Sequence, residues 1–448
     1  MNQATQLGAK SIPSLLAKFA IPSVLSLVLH ALYNIVDRAF IGRGVGPLGL
    51  AGVTLSFPVM LIIFGLCLLF SSGSSSLVSL YLGENKKEKA EEVLGTVISL
   101  ITVTAILCTI AGPALSKHIL FLFSPSPQAL PYAMDYLNII IAGSFFFFFG
   151  FTSTFIIRAE GNPIYATAMI IIATFINLFL DAIFIFGYKM GTEGAALATV
   201  ISEAFVALMG ISYIMRKKGI VHIRRKNLVP KLNHLKRIMT IGSSPAILDI
   251  VASLQFGLIN QQLAIYGGDN AVAAMGIIFS ISTFIHLFTF GMAGGMQPII
   301  GYNYGAKNIS RVKQTLKIAC SVTFITAIIF VGFIFIFSEP LVHLFIKDNI
   351  ALVAFTSHSL KIFLCLSPLI TLHILCSRYF QAIGKGLQST VIGLSRQLFI
   401  FIPILYIMTH YVKLNGVFLA GPITDFFAAF ITLFFIAREL KKLNKIIL

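Results

Sequence analysis

Apolar residues run through this chain in blocks of twenty or more, separated by short polar interruptions. A bilayer core of about 30 Å takes about 20 helical residues to cross, and twelve blocks meet that length. They lie near residues 14–41, 49–80, 93–113, 133–157, 164–187, 192–215, 236–265, 271–303, 313–337, 354–380, 389–410 and 415–437. An outer-membrane barrel would read as ten-residue segments of alternating hydrophobicity, whereas these blocks are continuous. The expected fold is therefore an all-α integral membrane protein with twelve transmembrane helices.

The blocks repeat. "IPSVLSLVLHALYNIVD", from Ile21, aligns with "SPAILDIVASLQFGLIN", from Ser244, placing Pro22 over Pro245. "IRAEGN" from Ile157 aligns with "FQAIGK" from Phe380, and "GAALATVISEAF" from Gly194 with "GVFLAGPITDFF" from Gly416, each at an offset of 222 or 223 residues. Six spans occur twice, in parallel orientation because six is even. This is the arrangement of transporters that bind substrate between two bundles and rock one against the other. The expected division is a first lobe over 1–215, a basic linker over 216–235 and a second lobe over 236–448. Glycine and serine gathered mid-span, in "SSGSSS" from Ser71 and "GMAGGMQP" from Gly291, permit the close helix approach that such bundles need.

Composition and charge then narrow the class. The 448 residues are 57% hydrophobic and 11% charged, with a net charge of +17. Of the 33 Lys and Arg, about 25 fall on the side that holds both termini and about six on the other. That asymmetry is the positive-inside pattern; it predicts cytoplasmic termini and argues against a nucleic-acid partner. The largest cluster, Met215 to Arg237, is expected to fix topology and lie on anionic lipid. The five Cys lack disulfide or metal spacing and read as apolar fillers. The first apolar run has no convincing small-residue cleavage site and is expected to stay as span one. No H-E-x-x-H, G-x-S-x-G or P-loop occurs, so no enzyme is expected.

Acids inside spans carry the candidate chemistry, because each costs at least about 2.5 kcal/mol at the bilayer centre. Asp37, Asp181, Glu203, Asp249 and Asp425 are so placed. Counted inward from the ends of their spans, Asp37 lies about 18 residues deep, or roughly 27 Å, and Asp181 about 17. Thr199 returns to that level with Glu203 one turn deeper, and Asn177 shares a helix face with Asp181. Asp37, Asn177, Asp181 and Thr199 are thus expected to converge in the first bundle, where two close carboxylates would share a proton or hold a cation. The alternative for Asp37 is an interfacial salt bridge with Arg38. At the repeat offset Asp37 faces Asn260 and Asp181 faces Pro403, so coupling is expected in the first bundle alone. Asp249 and Arg396, at similar depth, are expected to form a structural ion pair.

At this point the sequence resembles the multidrug and toxic compound extrusion (MATE) family, in its bacterial DinF/MepA-like branch. The resemblance rests on twelve spans in two repeats, "YNIVDRAFIG" near the end of span one, Pro22 fifteen residues before the acid, and the spacing of "NLFLD" in span five. It implies a V-shaped two-lobe antiporter of a bacterial cytoplasmic (inner) membrane that exports lipophilic, often cationic drugs. It further implies that Asp37, Asn177, Asp181 and Thr199 bind H+ or Na+ and that span one bends at Pro22. No cofactor beyond the coupling ion is implied, and the expected partners are small-molecule drugs and membrane lipid, with the protein a monomer. Tyr33, Asn34, Glu203, Gln255, Met275 and Met292 are the candidate lining of an adaptable substrate cavity. The competing expectation is a flippase or exporter of a lipid-linked or specific metabolite, which the scarcity of basic residues inside spans disfavours.

Overall fold

A bilayer offers no water to a bare peptide group, so apolar runs of this length close their hydrogen bonds internally. Among the described residues of the computed structural model, 3–122, 127–215, 219–346 and 349–447, every regular element is helical. A short helix, α1 (Gln3–Ala9), precedes α2 (Ile12–Gly44), α3 (Pro47–Gly83) and α4 (Lys87–Leu122). Then come α5 (Leu130–Ala142), α6 (Ser144–Ala159), α7 (Pro163–Asp181), which runs on as a π-helical turn over Ala182–Gly187, and α8 (Gly191–Met215). The second half holds α9 (Leu232–Gly305), α10 (Ile309–His343), α11 (Ile350–Leu364) and α12 (Ser367–Ala382). It ends with α13 (Gly386–Leu394), a π-helical turn over Ser395–Ile400, α14 (Phe401–Val412) and α15 (Leu414–Ile447).

Nine of these helical stretches among the described residues are long and apolar enough to cross a membrane unaided. Two bent pairs, α5 with α6 at 56° and α11 with α12 at 44°, each make one more span. Their breaks, at Gly143 and Cys365, lie 222 residues apart, so the bend is part of the repeated unit. α9 alone has 74 residues, about 110 Å of helix at 1.5 Å per residue and far more than one crossing. Gly268, with φ 63° and ψ −163°, divides it into an outgoing and a returning leg. A side chain there would be strained, and glycine supplies the turn. With the two legs taken separately, the described residues hold the expected twelve spans.

Among the described residues the halves touch along one seam. On the outgoing leg of α9, Gly242 packs on the Leu69 carbonyl of α3, and Ile238 packs on Gly73 of the same helix. On the returning leg, Gly291 and Gly295 pack on Val24 and Ala20 of α2. A Cβ at any of these glycines would collide with its neighbour. Gln297 Nε2 donates to Ser76 Oγ at 2.7 Å, and Gln381 Nε2 donates to Ser72 Oγ, both across the same seam. From Cys67 to Gly83 nearly every residue of α3 is buried, whereas between Pro47 and Phe64 burial recurs only every third or fourth residue. Beyond the seam Leu32, Ile62 and Phe284 are all more than half exposed. The two bundles therefore form a V, closed on the face that carries the linker and open on the other.

The closed face has its own fastenings. Arg311 donates through Nη2 to the Leu7 and Lys10 carbonyls at 3.0 and 2.6 Å, and Asn303 Nδ2 reaches the Leu7 carbonyl at 3.0 Å. These bonds cap the last carbonyls of α1 from the second half. The linker was expected to lie on lipid, yet its described part is docked on the protein; residues 216–218 fall outside the described residues. Arg224 pairs with Glu91 at 2.5 Å, Lys231 with Glu92 at 2.5 Å, and Val221 is fully buried. Glu160 accepts from the Ile220 and Val221 amides at 2.9 and 3.1 Å. Burial pushes its carboxyl up to about 7, against the opposing pull of those amides. Carboxylates on the first half hold the basic strand to the protein instead of leaving it to the membrane.

Candidate functional site

Three helices of the first half build the site, and 3.6-residue periodicity places each group. On α2, Tyr33 and Asp37 are one turn apart; on α7, Asn177 and Asp181 are one turn apart; on α8, Thr199 precedes Glu203 by one turn. Asp37, Asn177, Asp181 and Thr199 are all at most 5% exposed. The Asp37 and Asp181 side chains lie within hydrogen-bonding reach of one another. Asn177 Nδ2 donates to Thr199 Oγ1, and Tyr33 Oη meets the same hydroxyl, both at a long 3.5 Å. Asp181 is the last residue before the π-helical turn, whose wider ring opens the helix where the two acids meet.

The chemistry follows from what these oxygens lack. Asp37 Oδ1, Asn177 Oδ1 and both Asp181 oxygens are buried with no hydrogen-bond partner among the described residues. A buried acceptor normally has a donor, and two adjoining carboxylates in low dielectric do not both stay ionised unaided. The set needs a proton or a cation, and its carboxylate, amide and hydroxyl oxygens suit a hard cation as well as a shared proton. Arg38 forms no ion pair with Asp37 among the described residues: it is exposed, with its guanidinium over the Phe57 ring at 5.7 Å. The interfacial salt bridge weighed for Asp37 is not formed.

Glu203 borders the site. It is half-buried, has no hydrogen-bond or ion-pair partner among the described residues, and lies within electrostatic range of Tyr33 and Tyr136. Other expected cavity residues are elsewhere. Asn34 turns back to the His30 carbonyl at 2.7 Å, and Gln255 stands half-exposed on the outgoing leg of α9. Met275 is 0% exposed inside the core of the second half, and Met292 is buried in the core that joins the halves. A residue with no accessible surface lines no cavity, so Met275 does not do so here, and Met292 keeps only 7% of its surface. Pro22 lies inside an unbroken α2, and its carbonyl accepts from Ser26 and Thr167 Oγ1 at 2.8 and 3.2 Å.

In the second half the expected partner of Arg396 is wrong. Its guanidinium takes Asp425, with Nη2 and Nε at 2.7 and 2.8 Å from Oδ1, and Asp249 is exposed without an ion pair among the described residues. The repeat alignment already held a signal, because Asp425 is the one second-half acid that mirrors a first-half acid. His373 is fixed by Thr432 at 2.8 Å, as a packed histidine is.

A family model described as MatE matches residues 22–183 and, a second time, residues 245–407. The Multidrug export protein MepA of Staphylococcus haemolyticus (strain JCSC1435) is 27% identical over 427 residues, covering 95% of this chain and 93% of that protein. Its namesake in Staphylococcus aureus (strain NCTC 8325 / PS 47) is 28% identical over 400 residues, covering 89% and 88%. Among solved structures, a MATE in the bent conformation superposes with a TM-score of 0.93 at 25% identity, covering 99% of this chain and 98% of the other. An outward-facing multidrug resistance MATE family transporter of the MOP superfamily gives 0.90 at 26% identity, covering 98% of each chain.

Proposed function

This chain belongs to the MatE family, and from that membership we propose that it is a multidrug efflux transporter that exports lipophilic organic cations in exchange for inward-moving H+ or Na+. The observation that carries the coupling is the buried Asp37–Asp181 pair with its unpartnered oxygens. The charge asymmetry supports a cytoplasmic linker face, with the open side of the V outward. An ion from outside neutralises the buried pair, and the seam between the halves then parts on the cytoplasmic side. Relatives named for multidrug export support the substrate class. One proton moving inward supplies about 2.3 kcal/mol per 100 mV, or about 4 kcal/mol at roughly 180 mV, near a thousandfold gradient.

The test is efflux of ethidium from proteoliposomes under a pH gradient alone and under a Na+ gradient alone. Wild type should respond to one of the two, which names the ion, and Asp37→Asn should fall to the leak rate. A wild type that moves no dye under either gradient would remove the multidrug reading in favour of a lipid-linked or dedicated metabolite substrate.

A further inference from the structure

Asp249 is a membrane-depth charge outside the site of the first half and outside the Arg396–Asp425 pair of the second. It is exposed on the outgoing leg of α9 and has no ion-pair partner among the described residues. Helix periodicity fixes its direction. Gly242 packs on Leu69 of α3, and seven residues later the helix has turned about 700°, to within about 20° of the same bearing. Asp249 therefore faces the first half two turns beyond that backbone contact, where the halves have separated. Its carboxylate stands at the floor of the open cleft.

Its neighbours there have a definite chemistry. Arg378 of α12 lies within electrostatic range of Asp249. It is held elsewhere, donating from Nη1 to Gln381 Oε1 at 3.0 Å with its guanidinium 5.9 Å from the centre of the Phe290 ring. Gln381 is itself tied to Ser72 of α3, so this arrangement belongs to the closed seam. Phe290 is 41% exposed and Phe284, further up the returning leg, 63% exposed. The floor thus presents a carboxylate without an ion pair among the described residues, a fixed guanidinium in electrostatic range of it, the part-exposed Phe290 ring under that guanidinium and, further up, the exposed Phe284 ring.

We propose that Asp249 receives the cationic centre of the transported molecule, with Phe290 and Phe284 taking its aromatic body. This rests on the efflux reading above and deepens it. Substrate charge is bound by the second half, and the coupling ion by the first. A flat monocation fits, because its charge meets a carboxylate while its body gains cation–π and apolar contact as water leaves. Arg378 sets the limit on charge: it repels a second positive centre and leaves one acid to be satisfied.

Titration calorimetry of the purified protein in detergent, with ethidium as ligand, tests this. Asp249→Asn should weaken binding at least about tenfold, which is 1.4 kcal/mol, and Asp249→Glu should recover most of the loss. Arg378→Gln should tighten ethidium, an opposite sign that a merely structural role for either residue does not produce. Wild-type affinity in Asp249→Asn would overturn the proposal and leave the efflux reading standing. Absence of ethidium binding by wild type would overturn both. Should Asp249→Asn fail to fold, unchanged or weakened binding by Arg378→Gln is enough to reject the assignment.

Discussion

Glu203 and Asp425 stand 222 residues apart, at matching positions on the last span of each half, in opposite circumstances. Asp425 is 5% exposed and bound by Arg396, which the π-helical turn over Ser395–Ile400 carries. Glu203 has no cation, and one turn away Asp37 and Asp181 share a site that also lacks one. Duplication supplied one scaffold with two charge ledgers. Where an acid is neutralised by a fixed arginine, its charge state is part of the packing and has no reason to change. Where acids are left in surplus, as at Asp37 and Asp181, packing alone does not fix the charge state.

The sharpest way to break this comparison is Arg396→Ala, which strands Asp425 and should cost about 3–5 kcal/mol, read as a fall in melting temperature in detergent. Replacing both partners, Arg396→Met with Asp425→Leu, should recover most of that loss. Next in size is Gly242→Ala at the seam, where a Cβ meets the Leu69 carbonyl. Overpacking of about 1–3 kcal/mol should favour the state open at the linker face. Faster labelling of Ser72→Cys by an impermeant maleimide, in a background without native cysteines, would report it. Asp181→Asn should have the reverse sign to Arg396→Ala, stabilising the fold by about 1 kcal/mol through relief of carboxylate repulsion while ion-driven efflux falls to the leak rate.

The smallest effect concerns Glu160. Its folded pKa of about 7 lies above that of an unfolded glutamate. The stability it contributes is full below the unfolded value and is lost as pH rises through about 7. Wild type should therefore melt a few degrees lower at pH 8 than at pH 5, and Glu160→Gln should flatten that slope. An identical slope in both proteins would remove Glu160 as its source.

The twelve spans and their duplication were legible in the sequence because hydropathy and repeat offsets are one-dimensional signals. The convergence of Asp37, Asn177, Asp181 and Thr199 was legible for a related reason: depth along a span is a count of residues. Direction around the helix axis is not. Asp249 and Arg396 were matched in depth yet point to different places. The π-helical turn at Ser395–Ile400 also rotates Arg396 away from where a 3.6-residue count puts it. Met275 has the type of a cavity residue, and only packing shows that it is sealed in the core of the second half. The docked linker was misread because its lysines and arginines find carboxylates on α4 that loop-by-loop charge counting cannot pair with them.

The capping of α1 by Arg311 also sets an order for assembly. The Leu7 carbonyl and the guanidinium that binds it are separated by 304 positions. At about 5–20 residues per second of synthesis, the arginine leaves the ribosome roughly 15 to 60 s after the helix it is to hold. During that interval the first bundle can be inserted and packed, but α1 waits without the bonds that fasten it. The closure at the linker face is consequently a late product of translation, made only once the start of the ninth span has been synthesised.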